Sequence, residues 1–177
     1  STTEGYITAI GYYALSANTT GTKGTAVGSG SLQSNTTGDY NSALGQSALY
    51  TNTTGSNNTG LGYRALYTNN GSSNVAVGYD AGLSMTTGSN NTIMGSTAGD
   101  ALTTGGMNVA IGQGAMTSTT TGNYNVAIGR AALSDNITGD NNTGVGYAAL
   151  NANTANSCTA FGYQALTANT TGDNNTG

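Results

Sequence analysis

Catalysis or metal binding needs nucleophiles, acids, bases or ligands at a workable spacing, and this chain of 177 residues offers few of them. It has no His, so imidazole can neither activate a nucleophile nor bind a metal. Its one thiol, Cys158, stands where the same local pattern elsewhere carries Asn41, Asn58, Asn74 and Asn91. It reads as a tolerated small residue; a reactive thiol, or one that links chains, is the functional alternative. The acids are Glu4, Asp39, Asp80, Asp100, Asp135, Asp140 and Asp173. Asp39, Asp140 and Asp173 each follow a Gly, but they are far apart, and calcium needs several oxygens converging on one point. They read as solvated corner residues, with an ion on a three-fold axis as the alternative. Tyr12, Tyr63, Tyr79, Tyr147 and Tyr163 each follow a Gly, and Tyr50 and Tyr67 follow Leu. Such aromatics cover a corner or a neighbouring chain, or stack on sugars. No cofactor is implied, no metal site is indicated and no enzyme is expected.

Composition narrows the classes further. Leu, Ile, Val and Phe total 24 of the 177 residues, a share low enough to point to disorder. Disorder usually comes with high net charge, whereas here the net charge is −4 and Pro and Trp are absent. A strict period is the other source of such a composition. Lys23, Arg64 and Arg130 are the only basic residues, too few for a phosphate-binding face, so nucleic acid is not an expected partner. There is no run of 18 apolar residues, so no membrane-spanning helix is expected.

The period is present. A Gly follows a large apolar residue at Gly11, Gly28, Gly45, Gly62, Gly78, Gly95, Gly112, Gly129, Gly146 and Gly162, spaced 17 residues apart with two spacings of 16. A second corner lies seven residues before each of these anchors, at Gly21, Gly38, Gly55, Gly71, Gly88, Gly105, Gly122 and Gly139, then Ala155 and Gly172, with Glu4 in that place at the start. The two short spacings each lack one residue before a second corner, at Asn70-Gly71 and Thr154-Ala155. The pattern predicts a two-corner coil with two short arms, Gly supplying left-handed or strained backbone at corners such as Gly28, Gly45, Gly62, Gly78, Gly55, Gly88 and Gly122.

The residue before each anchor is Ile10, Val27, Leu44, Leu61, Val77, Met94, Ile111, Ile128, Val145 or Phe161. Two residues earlier stands Thr or Val, with Ser42 the exception, and between them Ala or Gly, with Ile93 the exception. Such a run reads as a strand with one large and one small face. After the anchor comes x-x-Ala-Leu, except that Ala81-Gly82 and Ala98-Gly99 push the apolar residue on to Leu83 and Leu102. A local irregularity in the outer wall is expected at 80–103. Arms this short bury a core only by stacking, which predicts an all-β, parallel β-solenoid of about ten 17-residue coils, roughly 50 Å long at the ~4.8 Å strand spacing. The Asn column is expected to hydrogen-bond along the stack.

The apolar column from Ile10 to Phe161 decides the assembly. If the small face lines a thin interior, the column points outward, and leaving it in water forgoes about 1.5–3 kcal/mol per side chain. Three identical rods meeting on their stripes then form a homotrimer. If the column instead fills a wider coil, a monomer suffices. Leu44 is the expected seam, with Ala43 and Leu49 in the wall and interior.

The units Asn58–Gly71 and Cys158–Gly172 resemble the repeats of phage-type tail-fibre proteins and of related long surface proteins of bacteria. They are also similar to a lengthened head repeat of trimeric autotransporter adhesins, whose Val-Ala-Ile-Gly strand has counterparts at Val109–Gly112 and Val126–Gly129. The resemblance covers the whole chain and implies a left-handed parallel β-roll that trimerises into an extracellular fibre, on a cell surface or a virion. Residues 1–177 then form a single repeat array, a window of a longer fibre, because Ser1-Thr2-Thr3 begins inside a corner. The expected function is a structural shaft. The alternatives are a module whose Thr/Asn/Tyr face binds surface glycans, and an ice-binding solenoid. Against ice binding, the regular Thr53-Thr54 pair runs straight into a Gly corner and offers no flat two-rank face.

Overall fold

Each repeat yields one strand of three residues, bounded by the anchor Gly on one side and a tight turn on the other. The computed structural model describes residues 5–177; Glu4 and Ser1–Thr3, expected at a corner, lie outside the described residues. The strands are β1 (Thr8–Ile10), β2 (Thr25–Val27), β3 (Ser42–Leu44), β4 (Thr59–Leu61), β5 (Val75–Val77), β6 (Thr92–Met94), β7 (Val109–Ile111), β8 (Val126–Ile128), β9 (Thr143–Val145) and β10 (Thr159–Phe161). They form one parallel sheet in sequence order. Register follows the repeat: Thr25 pairs with Ser42, Ala26 with Ala43 and Val27 with Leu44. The chain is an all-β parallel β-solenoid of about ten turns.

The strand stops at the anchor because the backbone there turns to a conformation that a β-carbon opposes. Gly28, Gly45, Gly62 and Gly78 have φ between +133° and +140°. A β-carbon on Gly28 would also lie 2.5 Å from the Gly45 carbonyl oxygen of the next coil. The second corner departs from expectation. Gly55, Gly88 and Gly122 are not at positive φ. They are small because the next coil is close: a β-carbon on Gly122 would sit 2.6 Å from the Gly139 oxygen. Left-handed backbone falls instead on residues with side chains, such as Ser47 (φ 57°), Leu49 (φ 53°) and Asn57 (φ 60°) in one coil. Each such residue costs about 1–2 kcal/mol relative to ordinary backbone. What offsets this is bonding between coils. Leu49 N–H donates to Ala65 O at 3.0 Å, and the leucine side chain is fully buried.

The arm after the anchor is therefore not a second strand. It is a run of turns that still pairs coil to coil: Ser47 N–H donates to Ser29 O at 2.9 Å, and Thr51 N–H to Tyr67 O at 3.0 Å. The small strand face and the Ala-Leu pairs meet inside. Ala26, Ala43, Ala76, Ala110, Ala127 and Ala160 are buried against Leu32, Leu49, Leu66, Met116, Leu133 and Leu150.

Residues 80–103 keep the regular backbone; the irregularity lies in the packing. Gly82 (φ 62°) and Gly99 (φ 54°) take the left-handed position that Leu holds elsewhere. The missing volume comes from Ile93, which replaces Ala on β6; a β-carbon on Gly82 or Gly99 would meet its Cδ1 at 3.1 and 3.2 Å. Leu83 stays only half-buried. Met85 and Leu102 are buried instead, in the interior column that holds Asn52 and Asn69 in earlier coils. Thr119 continues that column with its buried hydroxyl unpaired.

The first 16-residue coil is repaired by a side chain. In a regular coil, Thr36 and Thr37 N–H both donate to Thr53 O, at 2.8 and 3.2 Å. One coil on, a residue is missing before Gly71, and the side chain of Asn70, in the Thr53 register, takes over: its Oδ1 accepts from Thr53 N–H and Thr54 N–H, both at 3.0 Å.

Candidate functional site

The apolar column before the anchors lies on the outer face of the sheet. Alternation along a strand puts residues one and three on one face and residue two on the other, and the coil encloses residue two. Ile10 is 60 % exposed, Leu44 50 % and Phe161 62 %; Leu61, Met94 and Ile128 are also exposed, while Val27, Val77, Ile111 and Val145 are half-buried. Beside them runs the column Thr8, Thr25, Ser42, Thr59, Val75, Thr92, Val109, Val126, Thr143 and Thr159. No charged residue interrupts either column. Where Ser42 is the smallest member of its column, a shallow groove of about 220 Å³ opens between Thr25, Leu44, Thr59 and Leu61. The rod thus does carry a two-rank face, on its strands and not at Thr53-Thr54. Its Thr rank is broken by Ser42 and by three Val, and its partner rank runs from Val to Phe.

Four of the described acids, Asp39, Asp80, Asp140 and Asp173, bond between coils. Thr22 N–H and hydroxyl donate to Asp39 Oδ1 at 2.7 and 2.9 Å. Asn123 N–H donates to Asp140 Oδ1 at 2.6 Å, and Asn156 N–H to Asp173 Oδ1 at 2.7 Å. Neutral coils fill the same column with Ser: Asp39 N–H donates to Ser56 Oγ at 3.0 Å. These residues are inter-coil acceptors rather than merely solvated corners. The Thr22 N–H, then the Thr22 hydroxyl, hold the Asp39 carboxyl below the usual carboxylate range against a small opposing effect of burial, with Lys23 adding to the depression. Asp80 is only 6 % exposed and grips Arg64 through two bonds, Nε to Oδ1 at 2.8 Å and Nη2 to Oδ2 at 2.5 Å. Asp100 differs: one carboxylate oxygen is buried without a partner, and burial, with Asp80 nearby, raises its pKa against the pull of the Ala101 and Asp100 N–H groups. Among the described residues, no three His, Cys, Asp or Glu side chains converge on a metal position.

The Asn column at the strand starts is buried and bonded on both sides. Asn58 Nδ2 donates to Gly71 O at 2.8 Å, and Asn58 Oδ1 accepts from Asn74 N–H at 3.0 Å. The same pair of bonds recurs from Asn41 to Asn142. Cys158 closes the series as a buried thiol, its Sγ 3.2 Å from Gly172 O. Tyrosines of adjacent coils stack on one another: Tyr50 on Tyr67 with centroids 5.1 Å apart, Tyr63 on Tyr79 at 5.5 Å, Tyr147 on Tyr163 at 5.2 Å.

The acceptor column at Asp39, Ser56, Ser72 and Ser89 was readable in the sequence: short side chains able to accept recur one coil apart. The Arg64–Asp80 pair was readable in the same way, 16 residues apart across a shortened coil. The groups that could contact a partner are thus the uncharged sheet face and the tyrosine-bearing wall. Compared with known proteins, the chain matches no family model, no curated protein and no solved structure.

Proposed function

We propose that this solenoid is a non-catalytic shaft segment of an extracellular fibre, a tail fibre or cell-surface adhesin, assembled as a homotrimer on its sheet faces. The observation that carries the reading is the outward apolar column from Ile10 to Phe161, continuous over ten coils and free of charge. An uncovered stripe of this length is unusual for a protein that works alone. Its best-matched partner is another copy, because only an identical rod repeats its side chains at the same coil spacing throughout. A parallel three-fold arrangement lets Leu44 meet Leu44 and Ile111 meet Ile111 near one axis, with no sheet face left over. Stiffness comes from the ladders of backbone and Asn bonds along the stack, which suit a spacer. Ice binding is less well supported, because a Thr rank with gaps and a neighbouring rank of uneven size present no repeating lattice.

Sedimentation equilibrium tests the assembly. Three chains per particle is the expected mass, with the chain folded by circular dichroism. A folded, monodisperse monomer contradicts the proposal.

A further inference from the structure

Along much of the rod, the wall after the anchor Gly is filled by large side chains. Tyr63 and Tyr79 stack there, Tyr50 and Tyr67 stack a few residues further on, and Arg64 is clamped on Asp80. Over residues 97–135 the second and fifth positions past the anchor are mostly small, while Gln113 and Arg130 stand in the column of Tyr63 and Tyr79. Two residues past the anchor stand Thr97, Gly114 and Ala131; five residues past it stand Thr117 and Ser134. The wall is hollowed there into an open groove of about 300 Å³, at the small end of ligand-site volumes.

The groove is edged by groups of complementary kinds. Arg130 is exposed, and it has no carboxylate partner, the one ion pair among the described residues being Arg64–Asp80. Its guanidinium carbon lies 5.6 Å from the Tyr147 ring centroid, and its N–H groups are left for a ligand. Asp135, Gln113 and Ser118 supply a carboxylate, an amide and a hydroxyl. Two hydroxyls of the floor are already committed, Thr117 to Gly114 O and Ser134 to Asp135 Oδ1 at 3.2 Å, so their positions are set.

We propose that this groove binds a saccharide that carries a carboxylate. A guanidinium fork matches a carboxylate in geometry and charge. Sugar hydroxyls need donors and acceptors side by side, and Gln113, Ser118 and Asp135 provide both. A small inorganic anion fits less well, because it would feel Asp135 as well as Arg130. An extended acidic sugar separates the two contacts, carboxylate to Arg130 and hydroxyls to Asp135. The site is independent of the sheet face and goes beyond the shaft reading.

The test is titration calorimetry with saturation-transfer NMR on the folded chain in whatever oligomeric state it adopts. The probes are 3′-sialyllactose and digalacturonate, with lactose as the neutral comparison. Two variants accompany the wild type: Arg130→Ala, and Thr117→Tyr, which fills the groove with the side chain that Tyr50 and Tyr67 already place in that column. Saturable binding of at least one acidic probe, weakened about tenfold or more in both variants and absent for lactose, is the expected result. No binding of either acidic probe, equal binding of lactose, or binding that survives both substitutions overturns the assignment. Circular dichroism of the variants separates a lost site from a lost fold, and the sedimentation result bears on the shaft alone.

Discussion

Asn58 serves two coils at once, donating to Gly71 O and accepting from Asn74 N–H while wholly buried. Removing the amide leaves the buried Asn74 N–H without a partner, at about 1–3 kcal/mol, while Gly71 O keeps its second donor, Asn69 Nδ2 at 3.0 Å. Asn58→Ala is therefore expected to lower stability by about 1–3 kcal/mol, measured by chemical denaturation. Asp100 is the opposite kind of residue. Its folded-state pKa is raised by burial. Both states are protonated below the unfolded carboxylate pKa, so it costs nothing there; the cost appears as pH rises through that value and is complete above the raised folded one. Asp100→Asn is expected to raise the thermal midpoint at neutral pH, with the gain vanishing at acid pH. Equal gains at both pH values contradict it. Asn151 occupies the same column two positions after the anchor's Ala-Leu pair begins, so an amide is already accommodated there. Asp39 has the other sign: its depressed pKa stabilises the fold above the unfolded value, and that stabilisation is lost as pH falls through the folded one.

At the scale of the element, the strands were legible and the turns were not. Thr-x-apolar before Gly recurs at a fixed spacing, and β-branched residues bounded by Gly have one good reading. The second arm resisted because Leu49 and Leu66 give no local signal for left-handed backbone, which bulky side chains disfavour. Only inter-coil bonding holds them there, and that bonding exists only once the coils stack. The second-corner glycines misled for a related reason: Gly is equally the residue of strained backbone and of close approach, and only geometry separates the two. The Ile93 exchange was half visible, since Gly82, Gly99 and Ile93 all break the pattern within one stretch, but nothing local says that one fills the space of the others. That exchange can be tested. Ile93→Ala is expected to cost about 2–5 kcal/mol by opening a cavity. Adding Gly82→Leu and Gly99→Leu to it restores the ordinary Ala/Leu pattern and is expected to recover most of the loss in the same denaturation assay. A triple variant no more stable than Ile93→Ala contradicts the exchange.

At the scale of the molecule, the proposed shaft depends on what meets the outer sheet face. The interior is closed by Ala, Leu and Asn, bonded from coil to coil except at the Thr119 hydroxyl, and along the described coils the apolar column faces outward beside the Thr column. The most direct measurement is cysteine cross-linking in that column. With Cys158→Ser removing the native thiol, Leu61→Cys places one thiol per chain on β4, and Thr68→Cys places one on the opposite arm as a comparison. Three thiols around one axis can pair only two at a time. A three-fold shaft gives rapid oxidation of Leu61→Cys to disulfide-linked pairs that levels off at about two-thirds of the chains, and little cross-linking of Thr68→Cys. No cross-linking of Leu61→Cys, or its complete conversion to pairs, would contradict the three-fold shaft.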